Sequence, residues 1–164
     1  MSPTPITPSH PWNGRYVIAY FPAGVVHAGV NGGCGQWAIA LHRRTGWNLG
    51  ILWEMPAPHR AAFGAAPLPI HVFCLAPDGR IVDVEGAREA TDMKRLYREI
   101  PEVTGRLAVE TYATEARYRT AIRDHPGLEA DEAQIASIGR LMRESPAFLN
   151  LLTGLAGYDR DVAA

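Results

Sequence analysis

The residue best suited to chemistry in this chain is a cysteine at a glycine-rich junction. Cys34 lies within the string NGGCGQW (residues 31–37), which leads directly into an apolar helical pattern. A thiol on the first turn of a helix faces backbone N–H groups and the positive end of the helix dipole, and both favour the nucleophilic thiolate. The flanking glycines leave room for a ligand to approach the backbone. We therefore predict that Cys34 is a reactive thiol rather than a small buried residue.

A candidate base and a candidate orienting carboxylate follow Cys34 along the chain. His71 begins the apolar run HVFCL, and Asp83 lies in the run IVDV that follows a Pro-Asp-Gly turn. A nucleophile, a base and a group that fixes the tautomer of the base are the parts of a nucleophilic triad. The order Cys34, His71, Asp83 predicts such a triad. His27 is the alternative base, and Glu85 is the alternative orienter because it has the same strand parity as Asp83.

Other residues near Cys34 are candidates for binding the substrate. The backbone N–H of Cys34 is available for an oxyanion hole, because the first N–H groups of a helix lack partners within the helix. Asn31 or Gln36 could add a side-chain amide, and Asn31 is preferred because Gln36 can point away along the helix. Trp53 and Phe63 are candidate walls of a substrate groove, although core packing is the ordinary role of such residues.

The elements that must position these residues can be read from periodicity and turn signals. Strands are predicted over residues 15–21, 49–53, 70–76, 80–85 and 107–112. Helices are predicted over residues 34–44, 87–100, 115–125, 131–143 and 146–152, with loops at 22–33 and 55–69. This order predicts an α+β fold in which the nucleophile helix packs on an antiparallel sheet and additional helices follow at the C-terminal end.

Length and proline content predict the domain organisation. A chain of 164 residues is long enough for one domain with its own core, here residues 15–164. Residues 1–14 carry four of the prolines and predict a disordered or loosely docked arm. The segment 55–69 is also proline-rich and leads directly to His71, so we predict that it forms a lid or wall over the cleft.

Composition argues against several classes of function. Apolar residues make up 47% and charged residues 20% of the chain, which is typical of a folded globular protein. The net charge of −1 gives no electrostatic reason to expect nucleic acid or an anionic membrane as a partner. The start MSPTP is neither basic nor apolar, so we expect no secretory signal and a cytoplasmic location, or export by a signal-independent route.

The cysteine and histidine spacings predict no cross-link and no metal. Two cysteines, Cys34 and Cys74, do not make a disulfide framework, and we expect both to be free. The sequence has no CxxC pair and no His pair with helical spacing, so neither a zinc site nor another cofactor is expected.

Together these residues resemble the papain-like thiol enzyme fold in its broad sense. The resemblance rests on GC (33–34) opening the helical run WAIAL, then HVF (71–73) and DVEG (83–86), and it covers residues 30–86. Family members place a nucleophilic cysteine at the start of a central helix, against an antiparallel sheet that carries His and then Asp or Asn. Small bacterial cysteine hydrolases and the transglutaminase-core group show similar patterns. Ala28 stands where papain has its oxyanion glutamine, and Trp37 is three positions after the cysteine rather than one.

The resemblance implies a cysteine hydrolase or acyl transferase that acts on amide bonds of a protein or peptide substrate. The Cys34 thiolate would attack a carbonyl carbon to form a thioester, which water or an amine then resolves. Water as the acceptor makes a peptidase, an amidase or a glutamine deamidase, and an amine makes a transglutaminase. The alternative is a non-catalytic binding or immunity-type protein that retains the fold.

Overall fold

An antiparallel sheet of five strands lies at the centre of the described chain, which comprises residues 20–30, 32–125 and 128–155 of a computed structural model. The strands are β1 (Asn48–Met55), β2 (Leu68–Leu75), β3 (Ile81–Asp83), β4 (Gly86–Arg88) and β5 (Arg106–Tyr112). The helices are α1 (Ala23–Val30), α2 (Cys34–Thr45), α3 (Pro58–Ala61), α4 (Ala90–Arg98), α5 (Glu115–Ala121), α6 (Glu132–Glu144) and α7 (Pro146–Gly154). The predicted arm over residues 1–14 lies outside the described residues.

The sheet has the strand order β4-β3-β2-β1-β5, and all neighbouring strands are antiparallel. Short turns join β2 to β3 and β3 to β4, as antiparallel pairing allows, whereas a longer segment that contains α3 joins β1 to β2. In the predicted turn between β2 and β3, the N–H of Ala76 donates to the carbonyl of Arg80, and Gly79 adopts a φ of 89°. The predicted α+β class is confirmed.

The two faces of the sheet bury different clusters of side chains. Alternation along β1 and β2 directs Leu49, Ile51 and Cys74 to one face, where α2 and the C-terminal helices α6 and α7 complete the main core. Leu52 and Phe73 lie on the opposite face and pack with the buried side chain of α4, Met93. The central strands β1 and β2 are therefore covered on both faces, by α2, α6 and α7 on one and by α4 on the other. The candidate site lies within the sheet, between these two layers of helices.

Helix α2 begins and ends close to where the sequence predicts. It begins at Cys34 after Gly33, with no side chain capping its first turn. It ends at Gly46, which adopts the left-handed conformation with φ 71° and donates its N–H to the carbonyl of His42. Its residues are buried from Cys34 through Leu41, because the sheet covers one side of the helix and α1 and α6 pack on its other sides.

Helix α1 occupies the segment that the sequence predicted to be a loop. Its glycines suggested an irregular chain, but Gly29 is where α1 packs directly on its neighbours. A Cβ at Gly29 would lie 2.8 Å from the indole nitrogen of Trp37 and 2.9 Å from a methyl group of Val84. This glycine therefore permits close helix packing. Of the strand predicted at 15–21, Tyr20 and Phe21 are described, and both lie in a bend.

Two smaller elements also differ from the sequence prediction. Strand β4 occupies Gly86–Arg88, so the helix predicted from residue 87 begins instead at Ala90. The loop predicted at 55–69 contains the single turn α3, and β2 begins within it at Leu68. In the part of the chain that the structure describes, no helix combines the length and apolar character needed to cross a membrane.

Candidate active site

The candidate site lies where β2 and β3 separate. These strands pair only at Cys74 with Val82 and at Leu75 with Ile81, and towards the start of β2 the ladder is open. Across this opening, Nε2 of His71 lies 2.8 Å from Oδ2 of Asp83. Because the strands no longer bond to each other there, side chains from both strands can meet at a position that a third element can reach.

A β-bulge lies directly beside His71. Leu52 of β1 pairs with His71, whereas the next residue, Trp53, pairs with Pro69, so Ile70 is an extra residue in β2. Bulges bend a strand and redirect the neighbouring side chains, and they are frequent near active sites. Pairing with Leu52 places His71 on the sheet face that α4 covers, although α2 packs on the other face. The open ladder is what allows Cys34 to reach His71.

The predicted nucleophile, Cys34, lies on the first turn of α2. The residue is 9% exposed, and its thiol lies close to the imidazole of His71 and to the backbone N–H groups of Val72 and Gly35. Burial by itself would raise the pKa of this thiol. The hydrogen bond and charge of His71, together with the two N–H groups, outweigh burial and lower the pKa of Cys34 below its ordinary value. The site therefore favours the thiolate.

His71 connects the thiol to the carboxylate. Its side chain is 3% exposed and lies against the ring of Tyr97, with centroids 5.4 Å apart. Nε2 donates to Asp83, because a carboxylate can only accept, and Nδ1 is the ring nitrogen left to face Cys34. Burial opposes the charged ring, but hydrogen bonds to Asp83 and Cys34 and their charges raise the pKa of His71 to about 9.

Asp83 is a fully paired, buried carboxylate. Its Oδ1 accepts the backbone N–H of Glu85 at 2.9 Å and Nη2 of Arg88 at 3.0 Å, while Oδ2 accepts from His71. Burial would raise the pKa of Asp83. The charge of Arg88, then the hydrogen bond and charge of His71, reverse that effect and lower the pKa to about 2. Asp83 is thus ionised across the whole range in which His71 titrates.

The structure separates the predicted triad from its alternatives. It places Cys34 close enough to His71 for each to shift the pKa of the other, and Nε2 of His71 in turn donates to Asp83 at 2.8 Å. Glu85, the alternative orienter, has its Oε2 2.8 Å from Nη2 of Arg88 instead. His27, the alternative base, lies exposed on α1, on a different element from the strand that supplies the base in contact with Cys34.

Of the two side-chain amides predicted for the oxyanion hole, the structure describes only that of Gln36. Asn31 lies outside the described residues. Gln36 is buried, and its Nε2 donates to the carbonyl of Glu129 at 3.0 Å, which connects α2 to the segment before α6. Two positions apart on a helix point to opposite sides, so Gln36 faces away from Cys34. The first helical hydrogen bond of α2 is that of the Trp37 N–H to Gly33, which leaves the N–H of Cys34 available as the backbone donor.

The two predicted groove residues have different environments. Trp53 is buried in the main core, with its ring 5.1 Å from that of His125. Phe63 is 92% exposed in the segment between β1 and β2. This segment joins the end of β1 to the start of β2, so it lies at the same end of the sheet as His71. A lid or wall over the cleft at 55–69 stays a prediction.

Sequence reasoning missed two residues of the site, Arg88 and Tyr97. Arg88 is opposite Ile81 in the β3–β4 ladder, two places from Asp83, which puts both side chains on one face. The three residues of β4, GAR, have no strand signal of their own, so no local pattern placed Arg88 beside Asp83. Tyr97 covers the ring of His71 from α4, and no local pattern relates these two residues.

The second cysteine has a structural role. Both cysteines are free, so the prediction that Cys34 and Cys74 do not form a disulfide is confirmed. Cys74 is completely buried beneath α2 and donates its thiol to the carbonyl of Ala38 at 3.2 Å. Burial raises the pKa of this thiol far above its ordinary value, so Cys74 stays protonated and unreactive.

Comparison with known proteins gives no family for this chain: no family model matches, and neither the curated proteins nor the solved structures contain a significant match. Within the described ranges, no group of three or more His, Cys, Asp and Glu side chains has the arrangement needed to hold a metal ion. The chemistry of the site must therefore be argued from the geometry of its own residues.

Proposed function

We propose that this protein is a thiol-dependent hydrolase or acyl transferase that acts on amide bonds of a protein or peptide substrate. The observation that carries the proposal is the buried pair of His71 and Asp83, 2.8 Å apart, with the Cys34 thiol close enough to His71 to interact with its charge. The pKa of the thiol is lowered and that of the imidazole is raised, which is the combination that a thiolate–imidazolium pair requires. A merely structural histidine would not need a thiol on one nitrogen and a buried carboxylate on the other.

The proposed acylation step uses each group once. The Cys34 sulfur forms a bond to the substrate carbonyl carbon, and the oxygen that becomes negative is met by the backbone N–H of Cys34. Nδ1 of the His71 imidazolium then gives its proton to the leaving nitrogen as the C–N bond breaks. The product is a thioester on Cys34, and Asp83 keeps Nε2 protonated and the ring in place.

The deacylation step restores the thiolate. Neutral His71 takes a proton from water as the water oxygen attacks the thioester carbon, and the C–S bond breaks to release the acid. If a primary amine replaces water, the same steps give a new amide and the reaction is a transfer. Peptidase, amidase, glutamine deamidase and transglutaminase chemistry share these steps and differ in what enters the site.

The resemblance to papain-like thiol enzymes belongs to this proposal. The support for it is the arrangement of the described elements: a cysteine begins a buried helix, and the histidine and aspartate come from successive antiparallel strands beneath that helix. The proposal does not depend on the family, because a triad is recognised by the geometry and roles of its residues.

A non-catalytic binding protein is the second candidate, and two observations favour it. Cys34 is only 9% exposed, and the side-chain amide of Gln36 is used to bind Glu129 rather than to line a cleft. A protein that has lost catalytic activity would keep the fold and the buried histidine–carboxylate pair, but substrate would no longer reach the thiol.

The pH dependence of thiol alkylation separates the two candidates. The rate of iodoacetamide addition to Cys34 is followed by peptide mass analysis from pH 4 to 10, with Cys74→Ala as the control for the buried thiol. An enzyme is expected to show substantial alkylation well below pH 8.5, the ordinary pKa of a free thiol. His71→Ala should return the profile to that of an ordinary thiol.

The same protein is then incubated with peptide amides and with glutamine-containing peptides. Release of ammonia or an amine, lost in Cys34→Ala, supports the proposal. If the wild-type thiol is alkylated only near pH 8.5 and above, the enzyme proposal is wrong and the binding protein takes its place.

A further inference from the structure

Arg88 is a charged residue of the site that is not a member of the triad and takes no part in the proposed acylation and deacylation steps. Its side chain is 19% exposed, and Nη2 donates both to Oδ1 of Asp83 at 3.0 Å and to Oε2 of Glu85 at 2.8 Å. It lies on β4, which is joined to β3 by the two-residue turn Val84–Glu85. The same hairpin therefore carries the orienting carboxylate, its counterion and a second carboxylate that competes for the counterion.

The hairpin fixes these groups relative to one another. Asp83 pairs with Gly86, which adopts a φ of 117°, and the N–H of Glu85 donates back to Oδ1 of Asp83. Arg88 is diagonal to Asp83 on the same face. Since both oxygens of Asp83 are occupied, the carboxylate has one orientation, and that orientation presents Oδ2 to His71.

We propose that Arg88 is a positioning residue that acts through Asp83: it holds the carboxylate ionised and aimed at His71, and so sets the pH range in which Cys34 is reactive. This inference rests on the proposed function, because it concerns the same thiol and imidazole. It deepens that function by adding a fourth group, on β4, and by assigning Glu85 as the group that limits the influence of Arg88.

The charges around the site explain the direction of the effect. With Cys34 and His71 as an ion pair, Asp83 and Glu85 are two negative charges opposed by the single positive charge of Arg88. Removing Arg88 makes the surroundings more negative, which favours the protonated form of every titrating group nearby. Removing the charge of Glu85 does the opposite, because Arg88 is then balanced by Asp83 alone.

The other titratable groups facing the site do not oppose this reasoning. Tyr97 of α4 stacks on His71, and Tyr118 of α5 lies completely buried beside the first turn of α2. Burial raises the pKa of both phenols, so both are neutral wherever Cys34 and His71 titrate. Asp83, Glu85 and Arg88 therefore supply the fixed charges of the site.

The test is the pH profile of Cys34 alkylation by iodoacetamide in a set of variants. The acid limb of the profile is the pH range in which the alkylation rate rises as Cys34 loses its proton. Arg88→Met should move this limb to higher pH by about one unit, which is the low end of the pKa shift that a neighbouring charge produces. Arg88→Lys should return the limb to its wild-type position, because it restores the charge, while the maximum rate stays lower. Glu85→Gln should move the limb to lower pH.

Controls separate the electrostatic role from a structural one. Arg80 lies in the turn between β2 and β3, at the end of β3 away from Asp83, and it pairs with Asp78. The alkylation profile of Arg80→Met should match that of the wild type. Glu85→Gln leaves the buried pair between Arg88 and Asp83 in place, so it tests the inference even if Arg88→Met does not fold.

Each result has a distinct meaning. Opposite shifts for Arg88→Met and Glu85→Gln, with recovery in Arg88→Lys, support the inference. A reduced rate with unmoved limbs in both Arg88 variants, or an unmoved limb in Glu85→Gln, overturns it and leaves the hydrolase proposal standing. A wild-type profile that rises only near pH 8.5 overturns the hydrolase proposal as well.

Discussion

Replacing Asp83 by Asn tests the electrostatic account of the site through protein stability. Asn keeps the size of the side chain and can still accept hydrogen bonds from Glu85 and Arg88, but it removes the negative charge beside His71. Burial then acts on the imidazole with only Cys34 to oppose it, and the pKa of His71 should fall towards its ordinary value of 6.5. The imidazolium is lost at neutral pH, so the alkylation rate of Cys34 should fall as well.

The size of the stability effect follows from the pKa of His71. It is raised from 6.5 to about 9, and this difference corresponds to about 3 kcal/mol at 1.36 kcal/mol per unit of pKa. A group with a raised pKa in the folded state stabilises the fold fully below its unfolded pKa, here 6.5. That contribution disappears as the pH rises through about 9.

The lowered pKa of Asp83 sets the acid limit of the pH range in which the wild type is more stable than Asp83→Asn. Its pKa is lowered to about 2 from 3.8, so its contribution is present above pH 3.8 and is lost as the pH falls towards 2. The wild type should therefore exceed Asp83→Asn in stability most strongly between about pH 4 and 6.5. The difference should shrink on going to pH 9.5, where His71 is mostly neutral in both proteins, by at most about 3 kcal/mol because Cys34 also contributes to the raised pKa.

The measurement is urea unfolding of both proteins at pH 5.5 and at pH 9.5, with equal m-values required before the free energies are compared. Asp78→Asn is the matched control. It removes an exposed aspartate that also binds an arginine, so its effect should be small and similar at both pH values. A stability difference between wild type and Asp83→Asn that is the same at both pH values would refute the reasoning.

Three further predictions, tested by five substitutions, concern the packing around α2. Cys34→Ala should abolish labelling by a thiol-directed activity probe with little change in the melting midpoint, whereas Trp37→Ala should cost about 3–5 kcal/mol because it empties the buried core side of the helix. Equal losses of stability would make Cys34 a packing residue. Gly29→Ala should cost about 1–3 kcal/mol in chemical unfolding, since its Cβ would overlap the indole of Trp37, while Gly24→Ala, which faces open space, should not destabilise the protein. Gln36→Ala should lower stability by about 1 kcal/mol, because it removes the part-buried hydrogen bond from Nε2 of Gln36 to the carbonyl of Glu129. Its alkylation profile should be unchanged, and a large loss of activity without loss of stability would return Gln36 to the oxyanion hole.

The sequence was sufficient for the parts of this protein that depend on neighbouring residues. The period-3.6 pattern after Cys34 and the left-handed glycine at position 46 define α2 locally. The Pro-Asp-Gly turn and the alternation on either side of it define β2 and β3. The α+β class follows from the order of such elements, because few layered arrangements can bury their apolar faces.

Other local inferences were incomplete because packing decides between alternatives of similar propensity. The glycine-rich segment before Cys34 predicts a loop by propensity, yet it forms α1 because Gly29 allows contact with Trp37 and Val84. The three residues of β4 have no strand signal of their own and are ordered by pairing with β3. Intrinsic propensity is a weak guide wherever tertiary contacts supply more free energy than it does.

The site itself shows the same division. The types and order of Cys34, His71 and Asp83 could be read from the sequence, because the chemistry of a triad limits which residues qualify. Their contact depends on features between distant segments: the open end of the β2–β3 ladder, the bulge at Ile70 and the arrival of α2 over that opening. Whether Gln36 faces the cleft or Glu129, 93 residues away, is decided by the same long-range packing. Such contacts depend on how the layers of the fold are stacked, and only the tertiary structure determines that.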